Sequence, residues 1–148
     1  MMIIWGGYLK QIILNNIQYL LLLSMIYPSQ IDKIIDDFIS GSNKYSFTEM
    51  EAQTKENSLE NHNMLILKGL VEINGERSLS FFKDYFENNK NGTYSNLALS
   101  RIADYYYTQG LYTQSSRWYK KVLFNSKNKN NLVSSINYFI NSLAVSGK

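Results

Sequence analysis

Apolar residues recur along most of this chain at the three- and four-residue spacing of an amphipathic helix. The clearest stretch covers residues 96–107, where one helical face consists of Leu99, Ile102, Ala103 and Tyr106. The stretch at residues 111–124 repeats the pattern, with an inner face of Tyr112, Ser115, Tyr119, Val122 and Leu123. No alternating run closed by a tight Asn-Gly turn, the usual hairpin signal, is present. The pattern therefore predicts an all-α protein.

Four glycines divide the chain at nearly regular intervals. Gly41, Gly75, Gly110 and Gly147 are separated by 34, 35 and 37 residues, and each follows an amphipathic stretch. Glycine tolerates the positive φ that commonly ends a helix, so each is predicted to close one. A period near 35 residues indicates a helical repeat.

Residues 94–126 form the best-defined unit. Thr108–Gly110 is its predicted turn, Ser115 is small where two helices approach closely, and Tyr119 fills the space beside it. This unit resembles a tetratricopeptide repeat, and the matching residues are Ile102, Ala103, Tyr106, Gly110, Tyr112, Ser115 and Tyr119. Val122 replaces the usual alanine, and Lys127 stands where that family has its terminal proline.

The resemblance implies antiparallel helical hairpins stacked as a short right-handed solenoid. Around the best unit we expect a degenerate hairpin at residues 30–57, a repeat at residues 58–90, and a capping helix or half repeat at residues 131–146. In this last helix, the apolar residues are Leu132, Val133, Ile136, Phe139, Ile140 and Leu143. It has no returning partner helix in the sequence pattern.

Residues 1–29 differ from the rest, because Lys10 is their only charged residue. The apolar run from Ile17 to Tyr27 is too short for a comfortable membrane span and suits the apolar core of a signal peptide. Ser29 suits the last position before a cleavage site, but Tyr27, two residues earlier, is too large for the usual small-residue pattern. Three interpretations remain: an export signal, an uncleaved membrane anchor, or a buried first helix of the domain.

The net charge of +3 is unevenly distributed. Residues 91–148 carry seven basic residues and one acidic residue, Asp104, whereas residues 30–90 carry seven basic and eleven acidic residues. The basic end is either a surface for an anionic partner or a solvated face. No nucleic-acid motif is present, so we expect no nucleic-acid partner.

The residues that most enzyme sites need are scarce. The chain has no cysteine, one histidine and no glycine-rich phosphate loop. The acidic pair Asp36–Asp37 has no base or metal partner in its pattern, and His62 is expected to cap a helix or lie exposed. We therefore predict that the protein is not an enzyme and holds no metal or cofactor.

The stretch from residue 81 to 119 is similar to the repeat regions of bacterial cell-envelope proteins, including Tol–Pal-associated and outer-membrane-assembly lipoproteins. That similarity implies an exported or membrane-anchored scaffold that binds a protein or peptide in a concave groove. Carried onto this chain, the groove positions are Leu97, Ser100, Arg101, Asp104, Tyr107 and Thr108. The alternatives are an ordinary surface at these positions and, for function, a membrane-proximal assembly role in which residues 132–143 pair between copies.

Overall fold

The computed structural model describes residues 29–42, 44–56, 62–125 and 132–147. These residues contain seven α-helices and no strand. The helices are α1 (Gln30–Ser40), α2 (Phe47–Glu56), α3 (Asn63–Val71), α4 (Gly75–Asn88), α5 (Ser95–Thr108), α6 (Tyr112–Asn125) and α7 (Leu132–Val145). The all-α prediction is confirmed. The predicted leader, apart from Ser29, and the position of Lys127 lie outside the described residues.

Local sequence accounts for several helix ends. Ser29 and Asp32 form a reciprocal capping box at the start of α1, which satisfies two backbone N–H groups that the helix leaves free. Gly41, Gly110 and Gly147 have φ of 70°, 71° and 71° and follow α1, α5 and α7, as predicted. Gly75 differs from the prediction.

Gly75 opens a helix instead of closing one. It is the first residue of α4, and the side chain of Asn74 caps that helix by accepting a hydrogen bond from the backbone N–H of Arg77. The preceding helix α3 ends earlier, at Val71. The Asn74 cap directly before Gly75 is thus the local signal that sets the start of α4.

Helices α3 to α6 form two antiparallel pairs joined by short connections. In the α5–α6 pair, Ser115 donates to the carbonyl of Ala103 over 3.2 Å, and at the opposite end Asn125 donates to Asn96 over 3.1 Å. In the α3–α4 pair, Ser78 donates to the carbonyl of Gly69 over 2.7 Å. Tyr85 and Asn63 are hydrogen-bonded at the other end of that pair.

The main apolar core lies between α1, α3, α4 and α5. Its fully buried side chains include Ile34, Ile35, Ile66, Leu67 and Ile102. Helices α1 and α2, which the sequence placed in one degenerate hairpin, each contact α3 more than they contact each other. A smaller core beneath α7 consists of Leu99, Ala103, Tyr119 and Val122.

Polar side chains connect α1 to this core. Asn63 donates to the Asp32 carboxylate over 2.7 Å, and the Tyr94 hydroxyl donates to Asp36 over 3.1 Å. The Tyr85 hydroxyl in turn accepts from the backbone N–H of Tyr94. In the described part of the chain, every buried side-chain nitrogen and oxygen has a hydrogen-bond partner, as buried polar groups require.

Helix α7 packs on α6 through two small buried residues, with the aromatic residues Tyr138 and Phe139 beside them. Ser135 and Ser142 are its buried residues, and the Ser142 hydroxyl donates to that of Ser115 over 3.2 Å. Much of the apolar surface predicted for this helix, including Val133 and Ile140, is exposed. None of the helices in the described ranges combines the length and apolar character needed to cross a bilayer.

Candidate protein-binding site

Four of the predicted groove residues follow one face of α5. Leu97, Ser100, Asp104 and Tyr107 are spaced by three, four and three residues, which places them one above another. All four are partly buried, and Arg101 and Thr108 are exposed beside them. The structure therefore presents the predicted positions as one continuous stripe on the molecule.

Tyr107 is the centre of a group of aromatic rings that spans three helices. Its ring makes edge-to-face contacts with Tyr112 of α6, at 5.4 Å between centroids, and with Tyr138 of α7, at 5.1 Å. Tyr138 also stacks on Tyr119 at 5.6 Å with an interplanar angle of 10°. We call Tyr107, Tyr112, Tyr119 and Tyr138 the tyrosine cluster.

Asp104 is tied to this cluster through its carboxylate. The Tyr119 hydroxyl donates to Asp104 in a short hydrogen bond. Burial, together with this bond to an anion and the negative charge of Asp104, raises the pKa of Tyr119 above its ordinary value. The phenol therefore stays protonated and remains a hydrogen-bond donor, which fixes the carboxylate at the edge of the cluster.

The remaining predicted positions have different roles. Arg101 reaches Asp104 at 4.0 Å with both side chains more than two-fifths exposed, so this ion pair contributes at most about 1 kcal/mol to stability. Leu97 packs against the main core. Thr108 donates its hydroxyl to the carbonyl of Tyr105, which leaves its methyl group at the exposed end of the stripe.

Sequence reasoning missed Tyr138, although a signal for it existed. Tyr138 of α7 lies 34 residues after Asp104, the same interval that separates Gly41 from Gly75. The repeat period therefore gives Asp104 and Tyr138 equivalent positions. Tyr119 and Tyr112 were recognised from the sequence, but only as packing residues. The side chain of Tyr138 is 43% exposed, so it contributes to the surface as well as to the cluster.

Two clefts lie away from this stripe. One, of about 440 Å³, runs between α2 and the α3–α4 turn, and its mixed lining combines apolar residues such as Phe47 and Val71 with charged residues such as Glu51 and Lys68. Its rim carries an ion pair between Arg77 and Glu72 at 3.3 Å. The other, of about 310 Å³, lies between the α4–α5 loop, the start of α5 and the end of α6, and its polar lining includes Asn91, Asn96 and Asn125.

The metal-ligating side chains of the described residues are dispersed. No group of three His, Cys, Asp or Glu side chains there is placed to hold a metal ion. His62 is exposed at the start of α3 and makes no side-chain cap to that helix. The stripe on α5 and the tyrosine cluster therefore form the candidate site, and its chemistry is that of contact and hydrogen bonding.

No protein-family model, no curated protein and no solved structure matches this chain. The function is therefore inferred from the residues and their geometry.

Proposed function

We propose that this protein is a non-catalytic scaffold of the tetratricopeptide type that binds a peptide or protein segment over the α5 stripe. The repeat architecture is supported by an equivalence between the two helix pairs. Gly69 and Ala103 are 34 residues apart, the same interval as between Gly41 and Gly75. The carbonyl of Gly69 accepts a hydrogen bond from Ser78 of the following helix. The carbonyl of Ala103 accepts one from Ser115 in the same way. Phe82 lies one turn after Ser78, and Tyr119 lies one turn after Ser115. Both are buried aromatic residues that pack against the preceding helix.

The observation that carries the binding proposal is the contact between Tyr107 and Tyr138. It joins the α5 stripe to α7 through two rings 5.1 Å apart, one of which is 43% exposed. Tyrosine supplies a large, rigid contact area with a polar hydroxyl, and it is enriched among the residues that dominate binding energy. A partner laid along the stripe and across to α7 would cover this pair.

Polar groups beside Tyr107 and Tyr138 would fix the orientation of a bound segment. Asp104 offers a carboxylate held by Tyr119, and Arg101 offers a partly exposed guanidinium. A partner side chain or backbone N–H that bonds to Asp104 fixes orientation along the helix, whereas the ring pair supplies contact area. Either an extended or a helical segment fits this description.

We place the scaffold at the bacterial cell envelope, exported or anchored by residues 1–29. The support is the composition of this segment, which has Lys10 as its only charged residue and an apolar run from Ile17 to Tyr27. Sequencing the N-terminus of the mature protein tests the assignment. A start near Gln30 supports export and cleavage, whereas an intact Met1 favours an anchor or a helix of the domain.

Peptide display tests the binding proposal. Random peptides are selected on the immobilised full-length chain, and the enriched peptides are then titrated in solution against the wild type and variants. Tyr138→Ala is expected to weaken binding about 30-fold, since a central aromatic contact contributes about 2 kcal/mol. Arg101→Glu, an exposed change outside the cores, is expected to alter which peptides bind.

Phe47→Ala is the matched control. Phe47 is 45% exposed, close to the value for Tyr138, but it lies on α2 at the other cleft. Equal losses in the two aromatic variants would contradict a site on the stripe, and so would unchanged binding by Tyr138→Ala. Circular dichroism of each variant shows whether the fold is kept.

A further inference from the structure

Helix α4 has an acidic outer face. Three acidic residues are exposed on the side of this helix that points away from α3, and they are Glu76, Asp84 and Glu87. The two basic residues of α4 do not neutralise them. Arg77 forms an ion pair with Glu72 of the preceding turn, and Lys83 donates to the Tyr106 hydroxyl over 2.9 Å. We call Glu76, Asp84 and Glu87 the acidic face.

Helix α6 has a basic outer face at the equivalent place. Three basic residues are exposed there, Arg117, Lys120 and Lys121, and α6 contains no acidic residue. Phe124 lies among them and is 83% exposed. The Lys121 ammonium lies over the Trp118 ring, 3.8 Å from its centroid. We call the three basic residues together with Phe124 the basic face.

The two faces lie side by side on one surface of the molecule. Ser78 of α4 and Ser115 of α6 are equivalent, and each points inward to the helix before it. The rings of Phe86 and Trp118 meet edge to face at 6.4 Å between centroids, which joins the two helices along one flank. The residues opposite the serines therefore point outward together, acidic on α4 and basic on α6.

We propose that this two-helix surface pairs with the same surface of a second copy, about a two-fold axis that runs between α4 and α6 and parallel to them. The axis sets α4 of one copy over α6 of the other, and symmetry supplies the same contact a second time. Asp84 and Lys121 lie at the same level, since each is six residues after its serine. Asp84 and Glu87 are thus brought over Lys120 and Lys121 of the other copy.

Charge identifies the occupant as a second copy. A partner for this surface must be basic over α4 and acidic over α6, at the spacing of two neighbouring helices. The chain itself presents that pattern when it is turned about the axis. A uniformly anionic partner would meet the acidic face as well as the basic one. Within the described part of the chain, none of the six charged side chains of the two faces forms an ion pair, so all six are available to the other copy.

Phe124 adds apolar contact to the charged pairs. It is level with Glu87, because each lies nine residues after its serine, so pairing covers this ring in both copies. Exposed ion pairs alone contribute little to stability, whereas a covered aromatic ring at the centre of a contact contributes more. The α5 stripe is not part of this surface, and the inference therefore goes beyond the proposed peptide binding and does not depend on it.

Charge reversal tests the pairing, with sedimentation equilibrium of the full-length chain as the measurement. The wild type is expected to dimerise. Asp84→Lys with Glu87→Lys, which reverses α4, and Lys120→Glu with Lys121→Glu, which reverses α6, should each weaken dimerisation roughly 100-fold or more, because like charges then face each other. An equal mixture of the two variants should recover dimers. In that mixture the two reversed faces meet at one contact, and the two native faces meet at the other.

Lys44→Glu with Arg101→Glu is the matched control for net charge. Both residues are exposed and lie outside the two faces, and this double change alters the net charge as much as the reversal of α6 does. It is expected to leave dimerisation close to that of the wild type. Added salt is expected to weaken the wild-type dimer, because it screens the attraction between opposite charges.

Four results would overturn the proposal: a monomeric wild type, a mixture that stays monomeric, an equal loss in the control variant, or a dimer that tightens with salt. All variants keep residues 1–29, so association through that segment alone would persist in every one of them. Circular dichroism shows whether each variant keeps its fold. Binding of display-selected peptides by the variant with reversed α6 separates this result from failure of the α5 stripe.

Discussion

The hydroxyl of Ser78 donates to the backbone carbonyl of Gly69 over 2.7 Å and joins α4 to α3. Phe82, one turn after Ser78, packs its ring directly over the glycine. Gly69 is thus fixed from two sides, by a hydrogen bond to its carbonyl and by an aromatic ring over its Cα. The equivalent contact between Ser115 and Ala103 accommodates a methyl group.

Gly69→Ala is therefore expected to destabilise the fold. A Cβ at this position would meet three atoms of the Phe82 ring at 2.8 to 3.0 Å, and such overpacking costs about 1–3 kcal/mol. Alanine favours the helix over glycine by about 1 kcal/mol, which offsets only part of the cost. Urea unfolding of the variant measures the balance.

Phe82→Leu provides the background that isolates this clash. The smaller side chain removes the ring atoms nearest to Gly69, so the penalty of Gly69→Ala should shrink in the double variant. If alanine costs the same in both backgrounds, the ring is not the cause. Additive effects would thus contradict the proposed contact.

Gly110→Ala tests a different property of glycine. Gly110 has a φ of 71°, and no atom lies within 4 Å of the position that a Cβ would take there, so its requirement is conformational and not steric. The left-handed conformation costs an alanine about 1–2 kcal/mol, which should appear as lost stability. Gly110→Asn is expected to lose less, since asparagine tolerates this region, and equal losses would argue against a conformational origin.

The stability of the fold is expected to fall at alkaline pH. Burial raises the pKa of both Tyr94 and Tyr119 above the ordinary value of 10.0, and nearby carboxylates add to the effect. Because the folded state favours the protonated phenols, their contribution is complete below about pH 10 and decreases as the pH rises above it. Each of these two tyrosines then lowers the free energy of unfolding by at most about 1.4 kcal/mol per pH unit.

Unfolding by urea between about pH 9 and pH 11 measures this decline. Tyr94→Phe loses the hydrogen bond to Asp36 and so starts less stable, but it should show a shallower slope because one titrating group is gone. The slope, and not the starting value, is the diagnostic quantity. A variant with an unchanged slope would show that Tyr94 does not contribute to the pH dependence.

Asp32→Ala is expected to loosen α1 selectively. The Asp32 carboxylate accepts hydrogen bonds from the backbone N–H of Ser29 and from Asn63 of α3, so the change removes one half of the capping box and a link between helices, whereas the Ser29 cap itself stays. Each lost hydrogen bond costs about 0.5–1.5 kcal/mol. Hydrogen exchange should accelerate in residues 30–40 while α6 and α7 keep their protection, and a uniform increase along the chain would instead indicate global destabilisation.

The sequence alone determined the helices and several of their ends. Periodic apolar residues predicted the best unit, observed as α5 and α6 within about one residue of the expected bounds. The close approach at Ser115 was also predicted, and this side chain is fully buried. These features depend on neighbours along the chain, because helical periodicity, caps and glycine turns act over a few residues.

The tertiary structure decided which faces meet. Apolar periodicity did not foresee that α7 would contact α6 through Ser135 and Ser142, since small residues permit a close approach that hydropathy does not register. It also did not place Tyr138 beside Tyr107, although the stripe containing Tyr107 was predicted. That contact depends on how two helices pack across intervening chain, and packing between distant residues is set by shape and space, not by local pattern.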